Sequence, residues 1–310
     1  MERTERMNRK KLDITWDGTF DSTGYLFSFA KALSCAVRNS PYADLAEDIV
    51  ASSGFAFRMW IAADLCPSEA SIWDFGRQPE WIQNGGLTVT HVNCCWQPET
   101  VLNQARNEVL PKIKESIDRG IPVVAWDIGV CEWGLITGYD DETERFATLC
   151  INGTADEMEY AKLGNREMPM LNVIIITGKT HKAQADIMAD TKALAKTHLS
   201  GEEPCENAQG LGAYKCLIEI LDREDPELAA SWNMEYALGT FGALKWYAWK
   251  FFEKYGETEL TGLYKTVYES WQKAFELKKT TDMSSAENRA AISELLHRAY
   301  ECESAALKML

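Results

Sequence analysis

The chain is short of positive charge and has no long apolar run, and each shortage removes a class of function. Its 32 lysines and arginines face 47 aspartates and glutamates, a formal charge of −15. Such a surface repels nucleic acid and anionic membranes, so neither is expected as a partner. No stretch approaches the ~18 apolar residues of a spanning helix, and the first residues lack the apolar core of a secretory signal. The expectation is a cytoplasmic protein. Chemistry-bearing motifs are also missing: there is no phosphate-cradling glycine loop, no metal-binding histidine pair and no Gly-x-Ser-x-Gly elbow. The nine cysteines are scattered and odd in number, as suits free thiols in a reducing compartment. Cys94-Cys95 has no second pair at zinc-finger spacing, so no metal and no other cofactor is expected. The basic residues among Met1 to Lys11 read as a solvated tail.

What is present is a chain of 310 residues, 46% hydrophobic, which predicts two domains with ample material to bury. Its most legible stretch runs from Pro111 to Leu149. Lys112 to Arg119 carries Ile113 and Ile117 at helical spacing and closes on Gly120, a helix stop. Ile121 to Trp126 and Trp133 to Tyr139 are apolar, strand-like runs. Asp140, Asp141 and Glu142 make a turn before a third strand, Arg145 to Leu149. Upstream, Asp13 to Asp17 reads as a strand or extended arm, and Gly24 to Val37 as a buried helix with Asp21, Ser22 and Thr23 where its cap belongs. Tyr42 to Val50 reads as a short helix, Leu87 to Val92 as a strand containing His91, and Pro98 as the start of a helical stretch. Leu171 to Thr177 closes the sheet.

From His181 helical periodicity takes over, with helices expected at 182–199, 207–221, 226–255, 257–277 and 285–310. Ser284 and Glu287 read as a capping box for the last. The expected domains are therefore 1–180, α+β, and 181–310, helical. The helix with Trp232, Tyr236, Phe241, Trp246, Tyr247, Trp249, Phe251 and Phe252 is apolar nearly all round and should be a hub; any surplus of exposed aromatic area would mark a homodimer face or a ligand groove.

Gly120-Ile121-Pro122-Val123-Val124 followed by Glu132-Trp133-Gly134-Leu135-Ile136-Thr137-Gly138-Tyr139-Asp140 resembles the second half of papain-like cysteine peptidase folds. The likeness is to the bacteriocin-leader peptidase branch and to the aminoglycoside side-chain acyltransferases of the butirosin pathway. Gly54-Phe55-Ala56-Phe57-Arg58 with Leu65-Cys66-Pro67-Ser68, and Gly210-Leu211-Gly212-Ala213-Tyr214, are similar to stretches of uncharacterised bacterial relatives of the butirosin type, so the resemblance covers most of the chain. It implies a papain-like domain with a central antiparallel sheet and a buried helix, then an all-α domain.

The resemblance also says where chemistry would sit. In those families a histidine base opens the second strand; here the aligned residue is Glu132. The nucleophilic cysteine lies at the amino end of the buried helix; here Ser22 and Thr23 are the positional equivalents and no cysteine occurs. Asn152 is the nearest match to the residue that orients the histidine, and reads as a turn former. Cys35 falls too late on the helix and reads as core; His91 reads as a satisfied residue.

The leading expectation is thus a non-catalytic protein binding a small molecule or peptide, amine-bearing by charge, in the inherited cleft. Trp126, Asp127, Glu132 and Trp133 would line it from the strands and Asp21, Ser22 and Thr23 from the helix end. Arg58, a cation among apolar neighbours, would join two layers or hold a ligand carboxylate or phosphate. One alternative is an acyltransferase or amide hydrolase using a serine, or a thiol of Cys131 or Cys66. Another is a structural subunit acting through a dimer interface.

Overall fold

The computed structural model describes residues 8–71, 73–224 and 226–310. The chain is α+β, and its strands pair antiparallel. By contacts it divides into two compact units. The first comprises the chain up to Thr19, Ser28–Ala46 and Asp74–His181; the second comprises Phe20–Phe27, Glu47–Trp73 and Lys182–Leu310. The expected domains were contiguous in sequence, whereas these units interleave.

The first unit is built on a sheet of β1 (Arg9–Lys11), β3 (Leu87–Cys95), β4 (Val123–Ala125), β5 (Gly134–Asp140), β6 (Arg145–Leu149), β7 (Ala155–Glu159) and β8 (Met170–Lys179). The order is β3-β8-β4-β5-β6-β7, with β1 also on β5. One face takes α4 (Glu99–Asp118), whose Leu102, Val109, Ile113 and Ile117 pack on Val123, Ala125, Ile136, Val173 and Ile175. Helix α1 (Ser28–Arg38) packs against β4 and β5, and α3 (Gln78–Asn84) leads into β3. Helix α4 runs unbroken through Pro111, which lies on its exposed side, where water can serve the carbonyl that loses its amide partner.

Two expectations here need correction. Arg9–Lys11 is not a solvated tail but β1, paired with Asp140, Tyr139 and Gly138. A Cβ on Gly138 would fall 2.6 Å from the Lys10 carbonyl oxygen, so a glycine is what lets the two backbones meet. Lys10 Nζ also donates to the Asp118 carbonyl at 2.7 Å. The tail reading of residues 1–7 lies outside the described residues. The arm expected at Asp13 to Asp17 is chain outside any strand.

The second unit contains α2 (Asp48–Ser52), α5 (Gln184–Ser200), α6 (Leu211–Leu221), α7 (Glu227–Ala230), α8 (Trp232–Lys254), α9 (Thr258–Thr280) and α10 (Ala286–Leu307). It also carries a small ladder in which β2 (Trp60–Ile61) pairs with β9 (Ala208–Gln209), so it is not purely helical. Helix α8 is buried along most of its length, as its aromatic load requires. Phe57 packs on Phe252 and Tyr264, with ring centroids 5.9 and 5.5 Å apart. The helix expected at 226–255 is two, because Ser231 adopts extended backbone and its side chain accepts from the Met234 amide, capping α8. Helix α10 is capped by Ser285, which accepts from the Asn288 amide, whereas Ser284 bonds back to Asp282.

A buried polar knot joins four helices of this unit. Lys245 Nζ lies 2.8 and 3.0 Å from the two Glu303 carboxylate oxygens. Tyr214 Oη donates to Glu303 at 2.7 Å and accepts from Trp271 Nε1 at 2.8 Å. Among the described residues no helix is long and apolar enough to cross a membrane, and no cluster of three or more histidines, cysteines or carboxylates is suited to a metal.

Candidate functional site

The helix expected from Gly24 begins at Ser28. The cause is local: Asp21 Oδ1 accepts from the amides of Gly24 at 2.9 Å, Leu26 at 3.2 Å and Thr23 at 3.3 Å, which folds this stretch as a loop. Ser28 therefore takes the first helical position. It is buried, and its Oγ donates to Glu132 Oε2 at 2.5 Å. The pairing brings together the amino end of α1 and the residue that leads into β5.

Glu132 is held by the loop joining β4 to β5. Asp127 and Gly129 adopt left-handed backbone, φ 60° and 77°. At Gly129 a Cβ would collide with the Cys150 sulfur, so that position has room only for glycine. Arg166 donates to the carbonyls of Asp127 at 3.1 Å and Gly129 at 3.2 Å, and the Ile128 amide donates to the Glu132 carbonyl at 3.1 Å. The loop is pinned from both sides, and Glu132 with it.

Trp133 and Trp126 follow and precede this loop, and both are buried. Trp133 packs edge-on to Phe29 at 4.8 Å, Trp126 at 5.4 Å and Phe75 at 5.5 Å between centroids. Their main contribution is to this aromatic packing, next in sequence to Ser28 and Glu132. Two buried polar atoms at the start of this loop, Trp126 Nε1 and Asp127 Oδ1, lack a hydrogen-bond partner among the described residues. Buried polar groups are nearly always satisfied, so water is the expected partner.

Asp127 is 1% exposed. Its Oδ2 accepts from the Glu167 amide at 2.9 Å, while Arg166 stands 4.0 Å from Oδ1. Burial raises its pKa, against the lowering effect of that amide and of Arg166. A raised carboxyl contributes stability that is full below its unfolded value, 3.8, and is lost as pH rises through the folded one. Asp127→Asn should accordingly raise the thermal midpoint at pH 7, with the gain shrinking in titrations below pH 3.8. A loss at pH 7 that disappears at pH 3 would instead mean that the ion pair with Arg166 outweighs burial.

The remaining candidates separate cleanly. Ser22 accepts from Gln272 Nε2 at 2.7 Å, and Thr23 Oγ1 donates to the Gly239 carbonyl at 2.9 Å; with Asp21 they belong to the second unit and serve its loop. Arg58, 5% exposed, donates to Glu203 at 2.9 and 3.3 Å and stacks on Trp60 at 4.1 Å. Glu203 also lies 2.9 Å from His198 Nδ1. Arg58 is thus an internal brace.

Burial, then Asp127, Glu132 and Glu167, push the Cys131 thiol up, the opposite of an activated nucleophile. Cys66 Sγ lies 2.9 Å from Ser68 Oγ in the second unit. Cys35 is buried and pushed up to about 11, chiefly by burial. Asn152 accepts from the Thr154 amide, a turn. His91 lies 3.3 Å from Asn172 Oδ1, and burial lowers its pKa.

Ser28 is the residue that sequence reasoning passed over. The signal for it was Asp21 followed by Gly24, a loop former that displaces the helix start. Neither the models of known protein families nor the curated proteins contain a match to this chain.

Proposed function

We propose that the first unit is a papain-like domain in which Ser28 and Glu132 occupy the places of the thiol nucleophile and its base, and that it binds an amine-bearing small molecule or peptide without transforming it. The carrying observation is the Ser28–Glu132 hydrogen bond, 2.5 Å, between the start of the helix on β4 and β5 and the approach to β5. A carboxylate takes a proton from a serine hydroxyl far less readily than an imidazole does, so the pair is a recognition element more than a nucleophile. The partly exposed Glu132 favours a cationic group, in line with the net charge of −15. The helical remainder is, on this reading, the second domain of the same butirosin-type relatives.

The test is a thermal-shift and calorimetric series with spermidine, cadaverine and lysine methyl ester against neutral and acidic analogues of similar size. A ligand at a hundred times its Kd stabilises by about 2.7 kcal/mol. Amines should raise the midpoint and analogues should not, and Glu132→Gln should remove the response while leaving the free protein folded. Equal binding by Glu132→Gln, or no response to any amine, ends the reading. Labelling of Ser28 by a fluorophosphonate would replace it with a serine acyltransferase or amide hydrolase.

A further inference from the structure

The two edges of the sheet are built differently. Strand β7, at one edge, carries Asp156, Glu157 and Glu159 among its five residues. Charges of this kind guard an edge against pairing with another chain. Strand β3, at the other, is Leu-Thr-Val-Thr-His-Val-Asn-Cys-Cys, nine residues with no carboxylate, lysine, arginine or proline. An unguarded edge of that length is either a liability or a docking surface.

Its backbone direction follows from the neighbouring bonds. The Trp96 amide donates to the Pro169 carbonyl at 2.8 Å, toward β8, so alternate residues Cys94 and Val92 also face β8. Asn172, opposite Asn93, spends its carbonyl on the Trp126 amide on its other side. The amides and carbonyls of His91, Asn93 and Cys95 therefore point to the open edge. Among the described residues the Gln97 side chain reaches the Cys95 carbonyl, at 3.4 Å.

That edge opens into a groove of about 510 Å³. Asn93 and Cys95 form one wall, and Val101, Gln104, Ala105 and Glu108 of α4 form the other. The helical wall follows i, i+3, i+4, i+7 spacing, one face of α4. We infer that this groove takes an extended peptide segment bearing a basic side chain, which adds to β3 as a further strand. The geometry is strand addition beside a helix: main-chain bonds give affinity and alternate side chains meet the helix. Charge selects the occupant. Glu108 is the charged residue on the walls; its Oε1 accepts from Gln104 Nε2 at 3.0 Å, among the described residues no ion pair engages it, and the chain as a whole repels acidic segments. Val101, 45% exposed, and Ala105 suit small apolar residues on either side of the basic one. The inference does not rest on Ser28 or Glu132.

The probe is acetyl-Val-Thr-Lys-Thr-Val-amide, which puts its lysine and both valines on one face, with a copy N-methylated at the residues whose amides face β3 as control. Saturation should slow hydrogen exchange at the amides of His91, Asn93 and Cys95 by about tenfold, and the N-methylated copy should not. Glu108→Gln should weaken fluorescence-anisotropy binding several-fold. Asn93→Pro, whose amide has no partner in the sheet among the described residues, should abolish binding, with a fall in the thermal midpoint limited to the loss of the Asn93 Oδ1 that accepts from Asn172 and Cys95. If that variant does not fold, Glu108→Gln and the methylated peptide still decide. Lack of protection at about 1 mM peptide or equal binding of the methylated copy overturns the inference. So does protection of the same amides that rises with protein concentration, which would give the edge to a second copy of the chain.

Discussion

Glu303→Ala should cost about 3–5 kcal/mol of unfolding free energy in urea titrations at pH 7, enough to unfold a marginal domain. Glu303 and Lys245 are both fully buried. Removing the carboxylate leaves an ammonium in the core with no counter-charge and strips Tyr214 of its acceptor. The loss then reaches Trp271, whose indole bonds the Tyr214 hydroxyl. The double variant Lys245→Met, Glu303→Leu should recover most of the stability, because well-packed apolar residues can match a buried pair. A pH series adds a signature. Burial lowers the Lys245 pKa below 10.5, and the Glu303 charge works against that. A lysine lowered in the folded state loses stability as pH falls from its unfolded value through the folded one. Without Glu303 the lowering deepens, so the Glu303→Ala variant should gain stability more steeply than the parent as pH rises toward 10.5. A cost below about 1 kcal/mol would show that water reaches the ammonium.

Arg58→Leu is expected to be nearly as damaging, again about 3–5 kcal/mol, read as a fall in both the thermal midpoint and the urea midpoint. The Arg58 Nε–H is shared between the two Glu203 oxygens, and the guanidinium lies over Trp60 and, at 5.5 Å, over Trp73. Leucine replaces the apolar contact but leaves the largely buried Glu203 carboxylate with His198 in place of two cationic partners. Arg58→Lys should rescue only part, since an ammonium offers neither the planar fork nor the stacking. Burial works to raise the Glu203 pKa, but His198 and Arg58 outweigh it and hold the carboxyl below its ordinary 4.5. A lowered carboxyl contributes stability above its unfolded value and loses it as pH falls through the folded one. The parent should thus lose stability below pH 4.5 and Arg58→Leu should lose less there. Were Arg58 a ligand group, the variant would keep its midpoint and lose only binding.

The sheet of the first unit was largely legible because β-branched runs between turn formers have one reading: Val123–Ala125, Gly134–Asp140 and Arg145–Leu149 fall where periodicity put them. Strand β1 was not, because Arg-Lys-Lys looks solvated and its pairing depends on the bare backbone of Gly138 across from it. The start of α1 was misplaced because a single carboxylate, Asp21, gathers three amides, an effect that hydrophobic spacing does not register. At the site, Glu132 was visible through its strand pattern, but its partner Ser28 sat between phenylalanines and looked like helix interior. Arg58 announced a need for a partner without naming it; Glu203 lies 145 positions away.

The interleaving of the two units bears on how the protein is made. Phe57, in a segment of the second unit, leaves the ribosome long before α8 and α9, which carry Phe252 and Tyr264. At bacterial or eukaryotic translation speeds this ring waits roughly ten to forty seconds for its neighbours. Throughout that interval the nascent chain exposes greasy, sticky surface. A holdase that shields residues 47–73 during synthesis should raise the soluble yield, and splitting the gene after residue 181 should lower it.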